Sequence, residues 1–176
     1  LIAKVVRMGP SPVQAALDRG RHYATYKSLV RSNLEYCCPI WNPYEIGLCK
    51  QVEMVQRRAA RYVLNKPYNP HVRDSVSDMI QELNWETLER RRRVNSLLLL
   101  YKINYNTVAV PQSYHPQVNN RLDIYNQVGY VTCQPLINAF KYSFFPNSVT
   151  LWNKAQVTPE AVLTIDSFRH HITSVI

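Results

Sequence analysis

Four glycines against eleven prolines set the strongest limit on what this chain can fold into. Glycine supplies the positive-φ turns of tight hairpins at no steric cost, whereas proline fixes φ and stops a helix. A chain poor in the first and rich in the second is expected to form helices separated by proline-marked stops, not a many-hairpin β architecture. With 46% hydrophobic residues in 176, it can bury a real core and suits one domain better than two. The fold class read from these features is mainly α: an irregular helical domain with a long irregular connection and short C-terminal helices.

Periodicity places the elements. Ser11 followed by Pro12 predicts an N-cap and first helical position. That helix is expected to run to about Leu34, with Val13, Ala16, Leu17, Leu29, Val30 and Leu34 inward and Gly20 as a weak point. Pro39 and Pro43 close the region around Trp41 and Tyr44. A second helix is predicted over Ile46 to Leu64, with Leu48, Val52, Val55, Ala59, Tyr62 and Val63 in one apolar arc. Lys50, Arg57 and Arg61 form a narrow basic stripe away from that arc, with Arg58 at its edge.

Farther on, Val76, Met79, Ile80 and Leu83 follow helical spacing behind an expected cap at Ser75. After a turn at Asn84-Trp85, a helix from about Glu86 to Tyr105 is apolar on nearly every side in its second half, the mark of a central helix. Residues 107–138 read as an irregular connection with short strands near Tyr130 to Cys133. A short aromatic-rich helix is expected from Pro146, and a last one capped by Thr164 with Phe168, Ile172 and Val175 on one face. The division expected is a helical region over 1–106 and a loop-rich extension over 107–176 packed on it as one unit.

Charge concerns partners rather than fold. With 21 Lys and Arg against 12 Asp and Glu, the net charge of +9 points to polyanions, nucleic acid first among them. The absence of a signal-like start and of a long apolar run argues for an intracellular chain with no membrane partner, and Leu1 in place of Met for a segment of a longer or processed product. Cys37, Cys38, Cys49 and Cys133 form no CxxC pair, so reduced, partly buried thiols are expected.

Catalytic patterns are missing. Asp18, Asp74, Asp78, Asp123 and Asp166 include no adjacent pair of the kind that holds two divalent metals for phosphoryl transfer, and Asp74 and Asp78 suit a helix start. The cysteines and five histidines show no zinc-finger spacing, and His170-His171 are expected to face solvent. Neither a Gly-x-Ser-x-Gly elbow nor a phosphate-binding glycine loop occurs. No catalytic residue, cofactor, metal or small-molecule substrate is therefore assigned. Trp41, Trp85, Trp152, Phe144 and Phe145 are expected to pack in the core. Arg90 to Arg93 spread around their helix, with Glu86–Arg90 and Glu89–Arg93 as i,i+4 pairs.

Several stretches are similar, in order, to one family. They are Tyr26 to Tyr44 (with Leu29-Val30-Arg31, Leu34-Glu35-Tyr36, Trp41 and Pro43), Val55 to Val63, and Trp85 with Leu88, Glu89, Arg91 and Arg92. Tyr101-Lys102-Ile103, Val108 to Pro111, Ser143 to Pro146, Trp152-Asn153 and Asp166-Ser167-Phe168 complete the set. Together they resemble the region after the palm in reverse transcriptases of non-LTR (LINE-type, jockey- and CR1-like) retrotransposons, over roughly Tyr26 to Ile172. The first 25 residues fit poorly, and Cys37-Cys38 stand where small residues are more usual.

The resemblance implies a thumb-like, non-catalytic part of an RNA-directed DNA polymerase, with the chemistry in an upstream palm as its partner. It further implies binding to RNA or RNA–DNA hybrid, for which the candidate contacts are Lys50, Arg57, Arg58, Arg61, Arg91 and Arg92. The alternative is a decayed relic of such an element serving, if at all, as a structural or protein-interaction domain.

Overall fold

Asparagine closes three of the helices where glycine would be usual. In a computed structural model, which describes residues 12–66, 76–120 and 127–176, the elements are α1 (Pro12–Thr25), a π-helix (Tyr26–Arg31), α2 (Ser32–Glu35), α3 (Cys38–Trp41) and α4 (Ile46–Leu64). They continue with α5 (Val76–Glu82), α6 (Leu88–Asn104), α7 (Asn138–Lys141), α8 (Phe144–Lys154) and α9 (Ile165–Val175).

Asn65, Asn84 and Asn106 follow α4, α5 and α6 with φ of 53°, 51° and 54°. Each is flanked by the same pair of bonds: Lys66 N–H to Arg61 C=O and Asn65 N–H to Tyr62 C=O after α4, with equivalents at Trp85–Ile80 and Asn84–Gln81, and at Thr107–Lys102 and Asn106–Ile103. These are Schellman closures, in which a left-handed residue satisfies the last carbonyls of a helix. Asparagine tolerates that region better than other L-residues. The low glycine count thus predicts helices correctly but undercounts positive-φ turns, which Cys37 and Gln156 also adopt.

The chain is mainly helical, as expected. The strands expected near Tyr130 to Cys133 are not formed; among the described residues there is an isolated antiparallel bridge between Val118 and Tyr130. The aromatic-rich helix begins at Phe144, ahead of the expected Pro146. Ser11 and Ser75, both expected caps, lie outside the described residues.

Two compact units emerge, divided otherwise than at residue 106. The first comprises the described residues within Leu1–Tyr36 and Gly47–Leu88; the second comprises Cys37–Ile46 and those within Glu89–Ile176. The reason lies in α6. Its Leu97, Leu100 and Tyr101 share a core with Val149, Trp152, Val157, Phe168 and Ile172, so nearly all of this helix belongs with the C-terminal elements.

In the first unit, Ala60, Leu64 and Met79 form a small core flanked by Leu83 and Trp85. Most of the inward residues expected on α1 and the segment after it are in fact exposed, among them Val13, Leu17 and Leu29. The π-helix accounts for part of this, because a widened turn shifts the helical phase after Thr25. Tyr26 is the buried residue there, stacked on Trp85 at 4.4 Å between ring centroids.

In the second unit, Trp152 is the centre. It stacks on Phe168 at 4.7 Å, meets Tyr130 edge-on at 5.3 Å, and donates its indole N–H to the Val128 carbonyl at 2.7 Å. Asn153 clasps the Tyr130 backbone both ways, donating to its carbonyl at 2.8 Å and accepting from its N–H at 3.0 Å. Thr164 caps α9 as predicted, accepting the Ser167 N–H at 3.0 Å. Such a cap contributes about 1 kcal/mol. Phe168 and Ile172 are buried from that helix, whereas Val175 is exposed.

Burial also pushes the Tyr130 hydroxyl well above its ordinary pKa, with Tyr105 adding to the rise and a hydrogen bond with Asn104 opposing it. The folded unit therefore holds this proton more tightly than the unfolded chain. That contribution to stability is complete below about pH 10 and is lost as pH climbs from there towards the raised value. Denaturant titrations above about pH 10 should show Tyr130→Phe losing stability less steeply than wild type; parallel curves would discount this proton.

Candidate nucleic-acid interface

The basic row stands on α4, whose limits match the sequence reading. Its buried face matches fully only at Val63, with Val52, Val55 and Ala59 half-buried. Gln56, Ala60, Val63 and Leu64 are buried, while Leu48 and Tyr62 from the expected apolar arc are 45% and 51% exposed. The inward face is turned about 90° from the one predicted. Hydrogen bonding explains the turn. Gln56 Nε2 donates to the Glu86 carbonyl at 2.8 Å, so a polar side chain can be buried with its donor satisfied. Glu53, the helix's one carboxylate, accepts the Leu88 N–H at 3.3 Å, where a negative charge suits the start of α6.

With Glu53 turned to that task, the outward side of α4 is left with cations. Lys50, Arg57 and Arg58 are exposed, and among the described residues none forms an ion pair with them. Arg61 is half-buried at the end of the row and has contacts of its own. From Lys50 to Arg61 the row extends about 16 Å at 1.5 Å per residue. Duplex nucleic acid carries a charge about every 1.7 Å of its axis, so a row of this length can meet several phosphates.

Arg91 and Arg92 stand on α6. Both belong to the second unit, where Arg91 is half-buried and Arg92 is 2% exposed. Arg92 Nε donates to Asn42 Oδ1 at 2.9 Å, tying α6 to the segment after α3. A guanidinium enclosed in this way is a structural group, and Arg92 is withdrawn as a backbone contact. Its neighbours are also engaged: Arg90 donates to the Thr173 carbonyl near the end of α9, and Arg93 pairs with Glu89 as its i,i+4 spacing predicts.

Other expectations need correction. Trp41 is exposed rather than packed in the core. His171 is half-buried, its imidazole 3.0 Å from the Ala155 carbonyl, rather than facing solvent. Cys38 is buried and Cys37 and Cys133 exposed, and none of the four cysteines is in a disulfide. Among the described residues no three potential ligands gather as a metal site, and no helix is long and apolar enough to cross a membrane.

Two features of the first unit escaped the periodic reading. One is Tyr62, assigned to the packed arc but exposed against His22, with ring centroids 4.0 Å apart. Its position one turn after Arg58 was the signal available in the sequence. The other is an open cleft of about 700 Å³ lined by Ala16, Arg19, Tyr23, Val63, Glu82 and Trp85. Val63 faces about 120° away from Arg57 around α4, so this cleft is not part of the basic row.

No family model matches the chain, and comparisons with curated proteins and with solved structures likewise give no match.

Proposed function

We propose that the chain is a non-catalytic, thumb-like part of a non-LTR retrotransposon reverse transcriptase and grips the backbone of RNA or RNA–DNA hybrid through α4. The observation that carries the binding is the exposed set Lys50, Arg57 and Arg58, left without carboxylate partners among the described residues in a chain of net charge +9. The family assignment rests on the ordered resemblance from Tyr26 to Ile172. Such contacts give affinity and position without reading base sequence. The upstream palm is the partner that would supply the chemistry.

Hybrid-duplex binding measured across a salt series tests this. Wild type is expected to show a log–log slope more negative than that of a Lys50→Ala, Arg57→Ala, Arg58→Ala variant by about 2 to 3, at roughly 0.7 to 0.9 per phosphate contact. Equal slopes from equally folded proteins would remove α4 from the proposal.

The second reading, a relic serving as a protein-interaction domain, draws support from the second unit. Ile40, Leu136, Ile137 and Phe140 are exposed there, with Leu136 100% accessible. The coding sequence upstream of Leu1 separates the two: an intact palm with paired aspartates favours the polymerase, and an unrelated exon the relic.

A further inference from the structure

Tyr62 is an unusual surface tyrosine because its ring is already held. On one side lies the His22 ring of α1, at 4.0 Å between centroids and 31° between planes. His22 is itself half-buried, and its Nδ1 has no hydrogen-bond partner among the described residues, so packing rather than a polar network fixes this wall. Tyr62 nevertheless remains 51% exposed. A ring fixed behind and open in front loses little freedom when a second planar group covers it.

The neighbours say which planar group. Arg58 precedes Tyr62 by four residues, which puts the two side chains side by side on the helix surface, with Arg57 and Lys50 farther round the helix. An aromatic platform next to unpaired cations is the combination that holds a single strand, the cations on the phosphates and the ring on a base. Bases within a duplex have both faces covered by their neighbours. The ring is therefore suited to a base outside the stack.

We infer that Tyr62, backed by His22, stacks on an unpaired nucleobase next to the backbone held by Lys50, Arg57 and Arg58. This rests on the nucleic-acid binding proposed above and adds a preference to it: a duplex with a single-stranded overhang is bound in preference to a blunt one.

The full chain is titrated with a blunt hybrid duplex and with the same duplex carrying a short overhang that contains 2-aminopurine. Wild type is expected to bind the overhang about tenfold more tightly and to quench its fluorescence. Tyr62→Phe should keep both effects. Tyr62→Ala and the bulkier Tyr62→Leu should abolish both while leaving the salt slope on blunt duplex unchanged, circular dichroism confirming that each is folded. Retention of preference and quenching in both of these variants overturns the role of Tyr62, as does a wild type that shows neither. A wild-type slope unaffected by the Lys50, Arg57 and Arg58 substitutions instead overturns the backbone grip, so the two failures are distinguishable.

Discussion

Trp152→Ala is expected to destabilise the second unit by about 3–5 kcal/mol, the range for emptying a large aromatic site in a packed core. The indole is fully buried, lies on Phe168 and against Tyr130, and its N–H reaches the Val128 carbonyl. Trp152→Phe separates the two contributions. It keeps a ring in the stack but leaves the carbonyl without that donor, at a cost of about 1–3 kcal/mol. Chemical denaturation followed by near-ultraviolet circular dichroism measures both. A loss below about 1 kcal/mol for Trp152→Ala would mean that the ring is not the keystone of this core.

Arg92→Ala is the second large effect, about 3 kcal/mol, from an emptied buried site and from Asn42 losing its donor. The guanidinium Nε points in a fixed direction that an ammonium does not reproduce, so Arg92→Lys should recover little. Asn42→Ala should cost less alone and add little to Arg92→Ala, because the two share one bond. The salt slope of hybrid binding should not change in any of these proteins. A slope shallower by about one at unaltered stability would instead return Arg92 to the phosphate contacts.

The sequence revealed periodic and terminal features better than faces. Pro12, Thr164 and the 46–64 pattern marked helix positions through chemistry that acts locally, and α4 has the predicted limits. Which side of α4 turns inward depends on Glu86 and Leu88, whose backbone groups meet Gln56 and Glu53 from 30 and 35 residues away. No count of apolar residues within the helix contains that information. Tyr62 consequently read as core, the reverse of its place, and the buried Gln56 was not singled out.

The same limit governs the arginines. Arg57, Arg58 and Arg92 are chemically alike in the sequence, and only tertiary placement separates two exposed guanidiniums from one enclosed beside Asn42. The asparagine closures were legible in principle, since Asn65, Asn84 and Asn106 each follow an amphipathic or apolar run. Of the three, only Asn84 was read as a turn, and attention to glycine passed over the other two.

The widened turn at Tyr26–Arg31 bears on how such a chain can change length. A π-helical turn takes up an additional residue, so removing one there can return the segment to ordinary α spacing. Along the uninterrupted α4, the same deletion between Lys50 and Arg57 would rotate everything beyond it by about 100° and split the cationic row. Single-residue gaps between this chain and its evolutionary cousins therefore belong in the first place and are excluded from the second.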